Sequence, residues 1–372
     1  MTAQREDAQL AAAAVRTPDP GSGRRIGGLD VARGIAVLGM FAAHLGDTGR
    51  LGWAPDSWRA LADGRPSILF ATLAGVSIAL LSGGRTPVPD AGLSAARTRI
   101  LVRAAWVFAI GGVLELLDTF IAIILGVYAV LFVLALPFLR WTPRQLLAAA
   151  VLVALAGPPL TLWVGRYATA RDEDGNAFAF LLFTGYYPAA VWLAFVLAGL
   201  AVGRLDLRSA RVRAGLVGGG AAAAVVGYLG GWLSTRQLAP GQELAGIETG
   251  FDTAGPWQPA WFAGAEPHSS TTSEVLGSGG VAVAVIGLCL VAADLAPRLL
   301  YPLASVGALA LSVYSAQIVA IQVLEVDSAD DWGRWVRFTL AALLLATVWR
   351  LVLGRGPLER LLTWSSRRAA GP

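Results

Sequence analysis

Lysine is missing altogether: all 29 basic residues of this 372-residue chain are arginine. A lysine Schiff base and a P-loop lysine are therefore excluded. Cysteine occurs once, as Cys289 inside an apolar run, so there is no disulfide framework and no thiol metal site. Two histidines and one cysteine are too few for an ordinary transition-metal centre, and no metal is expected. No G-x-G-x-x-G, Walker A or zinc spacing stands in a suitable context, and nothing points to nucleic acid. Charge is scarce too: 15% of residues carry it, 56% are hydrophobic, and mean hydropathy is +0.62. Soluble domains hold about 25% charged residues. The composition predicts an all-α, polytopic integral membrane protein whose first partner is the lipid bilayer.

What the chain does have is apolar runs near the roughly 20 residues that cross a bilayer. Ten are expected: 29–46, 67–83, 100–117, 119–139, 144–164, 185–203, 213–233, 275–294, 299–323 and 335–353. Arginine alternates between the connecting loops, with eighteen on the side of the N-terminus, seven on the other, and four within runs. The arginine-poor side collects acids, among them Asp172, Glu173, Asp174, Glu248 and Asp327. The positive-inside rule then predicts both termini in the cytoplasm of a bacterial inner membrane, and ten crossings satisfy it at every loop. The polar, Ala/Pro/Gly-rich residues 1–23 lack the apolar core of a signal peptide and read as a disordered cytoplasmic tail. Residues 24–353 form the membrane domain, and 354–372 a cytoplasmic C-terminal tail. The long loop at about 234–274 is external, and its Trp, His and Ser/Thr content reads as an ordered cap over the outer mouth.

The stretch RRIGGLDVARGIAVLGMFAAHLGD, from Arg24 to Asp47, is the most informative. At 100° per residue, Asp30, Arg33, Val37, Met40 and His44 share one helical face, with Arg33 and His44 about 16 Å apart along it. Ionisable groups in a membrane helix are functional candidates by default. His44 suits a general base or an acyl carrier, and Asp47, three residues on, could orient its ring. Arg33 reads either as a phosphate ligand or as a snorkelling anchor, and Asp30 as the N-cap of the helix. Glu115 ends the third run, either converging on His44 or facing solvent; Asp118 reads as turn chemistry. Tyr314 and Gln317 sit three apart in an unusually polar ninth run, either lining a tunnel or bonding neighbouring helices. His268 precedes TTSE, which resembles a capping box with Thr271 or a neighbour at the N-cap and Glu274 downstream; it would bind acceptor, complete the site, or be merely solvated. The basic clusters at 204–213 and 355–368 read first as topology anchors.

LDVARGIAVLGMFAAH resembles the opening helix of the transmembrane acyltransferase superfamily, which includes heparan-alpha-glucosaminide N-acetyltransferases, acyltransferase-3 proteins and YeiB-like proteins. FATLAGVSIALLSGG from Phe70 resembles the second span of the heparan-type enzymes. GYYPAAVWLAFVLAGLAVGRLDL from Gly185, GALALSVYSAQ from Gly307 and GRGPLERLLTW from Gly354 resemble YeiB-like segments. The resemblance implies acyl transfer from cytoplasmic acyl-CoA, such as acetyl-CoA, to a glycan or envelope acceptor outside, through a histidine in or just after the first helix. Heparan-type enzymes carry that histidine in the following loop; here residues 45–66 hold none, and His44 fits the acyltransferase-3 placement. On this reading Arg33, Tyr314 and Gln317 bind the acyl-CoA, and His44, Asp47, Glu115 and His268 are the catalytic candidates. A homodimer is compatible with it. Two alternatives stay open: a transporter of a small metabolite or lipid, and a non-catalytic membrane protein of the same fold.

Overall fold

The computed structural model describes residues 26–46, 49, 55–169, 177–241, 247–251, 256–327 and 331–371. The tail expected over 1–23 and the candidate Asp47 lie outside them. Every regular element among the described residues is helical. The α-helices are α1 (Gly27–Leu45), α2 (Arg65–Leu81), α3 (Asp90–Glu115), α4 (Leu125–Leu134), α5 (Pro143–Thr169), α6 (Ala177–Leu182), α7 (Ala189–Gly203) and α8 (Ala210–Leu238). They continue with α9 (Thr272–Leu295), α10 (Tyr301–Ala308), α11 (Ala310–Val323), α12 (Trp332–Val352) and α13 (Pro357–Ala369).

Each of the ten apolar runs contains helix, but among the described residues only six helical segments are long and apolar enough to cross a membrane. A seventh is reached if α10 and α11, bent by 81° at their junction, count as one broken span. The other three runs differ for visible reasons. Helices α4 and α7 are apolar but have 10 and 15 residues, short of the roughly 20 a straight crossing takes. Helix α3 is long enough, but Arg97, Arg99 and Arg103 interrupt its hydropathy. The chain is an all-α, multi-pass membrane protein.

Helix α1 is the buried centre, packed against α2, α9, α10 and α12. Its closest approach is to α10, where glycine lets two backbones touch: a Cβ at Gly307 would overlap the Asp30 carbonyl oxygen, and one at Gly34 the Leu303 carbonyl oxygen. Association of apolar helices in lipid depends on such small-residue contacts, because burying leucine gains nothing over hydrocarbon. By contrast α12 exposes Leu340, Leu344, Leu345, Leu351 and Val352, as a lipid-facing helix must. The segment expected as a C-terminal tail contains α13, which rests on α3 and reaches α11. The Glu359 carboxylate, at the start of α13, accepts from the backbone N–H groups of Leu311 (2.9 Å) and Ser312 (3.1 Å) and from Ser312 Oγ (2.6 Å). A distant acid thus caps the free N-terminus of the broken helix α11.

Candidate active site

Asp30 is not the N-cap of α1. The helix starts earlier, with Ile26 at the N-cap, because Gly27, Gly28 and Leu29 already continue it. Asp30 is buried one turn in and holds Arg33 at 2.7 Å, with Arg350 at 3.9 Å from its other oxygen. Breaking a buried pair leaves an uncompensated charge, at a cost of about 3–5 kcal/mol. This pair therefore fixes where the Arg33 guanidinium stands; that group also donates to Ser77 Oγ at 3.4 Å.

Arg33 lines a cavity of about 990 Å³, enclosed by α1, α2, α3, α4, α10, α11 and α13. The volume lies at the upper end of the range for small-molecule and cofactor sites, about 300–1,000 Å³. The cavity has two characters. Arg99 and Arg103 from α3, with Arg355 and Arg367 from the C-terminal segment, line it with positive charge, while Phe70, Leu73, Ile100, Val107, Leu125 and Phe132 make apolar wall. No carboxylate stands within ion-pair distance of those four arginines among the described residues, and Arg99 Nε is buried without a hydrogen-bond partner. Arg355 and Arg367 are exposed and Arg99 and Arg103 half-buried, and although Glu359 also lines the cavity, the four guanidinium groups together suit an anion with several acceptor oxygens.

At the other end of α1 a second cavity, about 230 Å³, is lined by both histidines of the chain, His44 and His268, with Asp63, Tyr186, Tyr187 and Tyr314. Helices α1, α2 and α11 each contribute to both cavities: Arg33 and His44 from α1, Phe70 and Ser67 from α2, Leu311 and Tyr314 from α11. The partition between them is thin. Leu125 and Tyr128 face the larger cavity, while neighbouring Ile124 faces the smaller; the Tyr128 hydroxyl donates to the Ser67 carbonyl at 2.9 Å.

His44 Nδ1 pairs with the Gln317 side-chain amide at 3.2 Å, and the Tyr314 ring stands edge-on to the imidazole at 6.2 Å. Tyr314 and Gln317 are both buried on α11, and the polar residues of that helix meet His44 across helices.

His268 is held by a strained loop. His268 and Ser270 have left-handed backbone, at φ +61° and +57°, which costs a non-glycine residue about 1–2 kcal/mol. The buried Glu274 carboxylate offsets this by accepting from the His268 and Ser270 backbone N–H groups, each at 2.7 Å. Thr271 Oγ1 accepts from the Glu274 backbone N–H at 3.1 Å and so caps α9. Glu274 thus serves the loop rather than closing a reciprocal capping box. The His268 ring lies against Tyr186 (4.4 Å) and Tyr187 (5.5 Å), and Nε2 is 3.7 Å from Asp63 Oδ1. Burial pushes its imidazole down to about 4, so the ring is neutral at physiological pH.

The remaining candidates lie elsewhere. Glu115, exposed at the end of α3, lines neither cavity, and Asp118 sits in the turn beyond with φ +51°. Among the described residues no group of His, Cys, Asp and Glu could hold a metal ion. Sequence reasoning missed Asp63 and the arginines on α3. The Asp-Gly-Arg turn before α2 was the available signal for the first, since Gly64, at φ +67°, brings the turn under His268.

Residues 25–232 match the family model described as heparan-alpha-glucosaminide N-acetyltransferase, catalytic. The match covers α1 to most of α8, including Arg33, His44 and Asp63, and ends before His268 and α9–α13. No curated protein matches the chain.

Proposed function

We infer that this chain, which belongs to the heparan-alpha-glucosaminide N-acetyltransferase catalytic family, is a transmembrane acyltransferase. It would take an acetyl or other acyl group from acyl-CoA in the larger cavity and deliver it to a saccharide or other envelope acceptor at the smaller one. The observation that carries this is the shared lining: one buried helix ends in a cation-lined cavity at Arg33 and in a two-histidine cavity at His44. Arg99, Arg103, Arg355 and Arg367 would face the phosphates of coenzyme A, and the apolar wall the acyl-bearing arm. Tyr314 and Gln317 would hold the thioester end beside His44, whose imidazole would attack the acyl carbon or assist its transfer.

In the membrane we propose ten crossings for the domain over 24–353: the six long helices, the bent α10–α11 pair, α3, and the shorter α4 and α7 as buried or tilted spans. The arginine bias would set the larger cavity and both termini on the cytoplasmic side of the inner membrane. Acyl-CoA is made in the cytoplasm, so donor and acceptor would then meet from opposite faces.

The test is purified protein with radiolabelled acetyl-CoA, compared with His44→Ala. The reading expects acetyl-CoA to bind and lose its acetyl group, and His44→Ala to lose about 10²-fold or more of that rate. Binding without thioester cleavage would overturn it. The break between α10 and α11 is a feature that transporters share; such a protein would move its substrate with the thioester intact.

A further inference from the structure

Resting on the acyl-transfer reading, we propose that Asp63 and His268 form the acceptor-side general base, a pair distinct from His44. The two histidines face one small cavity but have different partners. His44 is oriented by a neutral amide, Gln317. His268 has a carboxylate, Asp63, 3.7 Å from Nε2, so a positive charge formed on this ring is the one with an opposite charge beside it. Apo contacts of this kind are commonly long and tighten when substrate closes the site.

Three further observations fit a working base better than a packed loop residue. The His268 backbone is held at φ +61° by a buried carboxylate from the next helix, and strain of that kind is retained where surrounding structure enforces it. Gly64 packs against this loop, where a Cβ would meet Pro267 Cβ at 3.1 Å and His268 Nε2 at 3.5 Å. The ring is neutral at physiological pH, because burial holds it at about 4, so its lone pair is available. The titratable groups around it are Asp63, Tyr186, Tyr187 and His44 across the cavity, and Glu274 at its backbone.

In the step, the acceptor O–H or N–H lone pair bonds to the acyl carbonyl carbon while its proton passes to His268 Nε2. The bond from that carbon to its carrier, coenzyme A sulfur or His44 nitrogen, breaks, and the leaving atom keeps the electron pair and is protonated from solvent. The His268 imidazolium, with the Asp63 carboxylate as its neighbouring counter-charge, returns its proton to solvent.

The experiment uses detergent-purified full-length protein, acetyl-CoA and two probe acceptors, water and hydroxylamine. Water needs a base to lose its proton as it attacks; hydroxylamine is already a strong neutral nucleophile. We expect His268→Gln to slow CoA release to water by about 10²-fold. We expect the isosteric Asp63→Asn to slow it by about tenfold, one pKa unit's worth of lost charge pairing. Acetohydroxamate formation should stay within about threefold of wild type in both, and the melting temperature of Asp63→Asn should be unchanged. Equal loss with both acceptors, or loss with neither, would overturn the pair while leaving the His44 reading intact. Absence of both reactions in wild type would instead remove the acyl-transfer reading and this proposal with it.

Discussion

Glu274 is the residue through which the acceptor side of the site should be easiest to break without touching a catalytic group. Its carboxyl group accepts two hydrogen bonds from the backbone of the His268 loop, each at 2.7 Å. Intramolecular hydrogen bonds contribute about 0.5–1.5 kcal/mol each, so together they are worth about 1–3 kcal/mol. Against this stand two left-handed non-glycine residues, His268 and Ser270, costing about 2–4 kcal/mol together. The balance is narrow. In Glu274→Ala the strain remains and the offset is gone, so the loop should relax to negative φ and carry His268 away from Asp63. Amide hydrogen exchange reads this directly: protection of the His268 and Ser270 amides should fall by about one to two decades, the ~1–3 kcal/mol divided by ~1.36 kcal/mol per decade. A displacement of about 1 Å commonly costs 10²-fold in rate, so CoA release to water should fall by about that factor. Unchanged protection at both amides would refute the reasoning.

Three other outcomes follow from the same geometry. Gly307→Leu places a side chain on the Asp30 carbonyl, so α10 must move off α1; we expect a loss of at least about 3 kcal/mol and a fall in melting temperature in detergent, whereas Gly215→Leu, in open space, should be silent. His268 is depressed from 6.5 to about 4 on folding, so the unfolded chain binds the extra proton between those values. Stability contributed by neutral His268 is complete above pH 6.5 and is lost as pH falls towards 4, by about 3 kcal/mol; the slope of melting temperature against pH in that window should flatten in His268→Gln. Arg103→Gln and Arg367→Gln should each weaken acetyl-CoA binding by about 10-fold or more, with a smaller effect on the donor lacking its 3′-phosphate if that group is the one contacted, as read by isothermal titration.

Much of the fold was legible because membrane helices need long apolar runs, and all ten runs contain helix. The count was not, because hydropathy cannot separate a lipid-crossing helix from a short one buried among others, as α4 and α7 illustrate. The 100° periodicity put Arg33 and His44 on one face, and their cavities lie along it. The N-cap rule failed at Asp30 because the helix already starts at Gly27, and Asp30 pairs with Arg33 one turn on and faces Arg350 from α12. Asp63 and His268 are two hundred residues apart, and only folding brings the Asp-Gly-Arg turn beneath the loop. The arginines of α3 and the C-terminal segment read as topology anchors for the same reason: their convergence around one cavity is a property of packing.

The central claim is that an acyl group enters from the arginine-lined cavity and leaves past His44. The direct measurement is CoA release in sealed vesicles of known protein orientation, with hydroxylamine on both sides and membrane-impermeant acetyl-CoA on one. The account predicts turnover only when acetyl-CoA is on the face bearing Arg355 and Arg367, and only with His44 intact. Equal turnover from either face, or full turnover in His44→Ala, would contradict it.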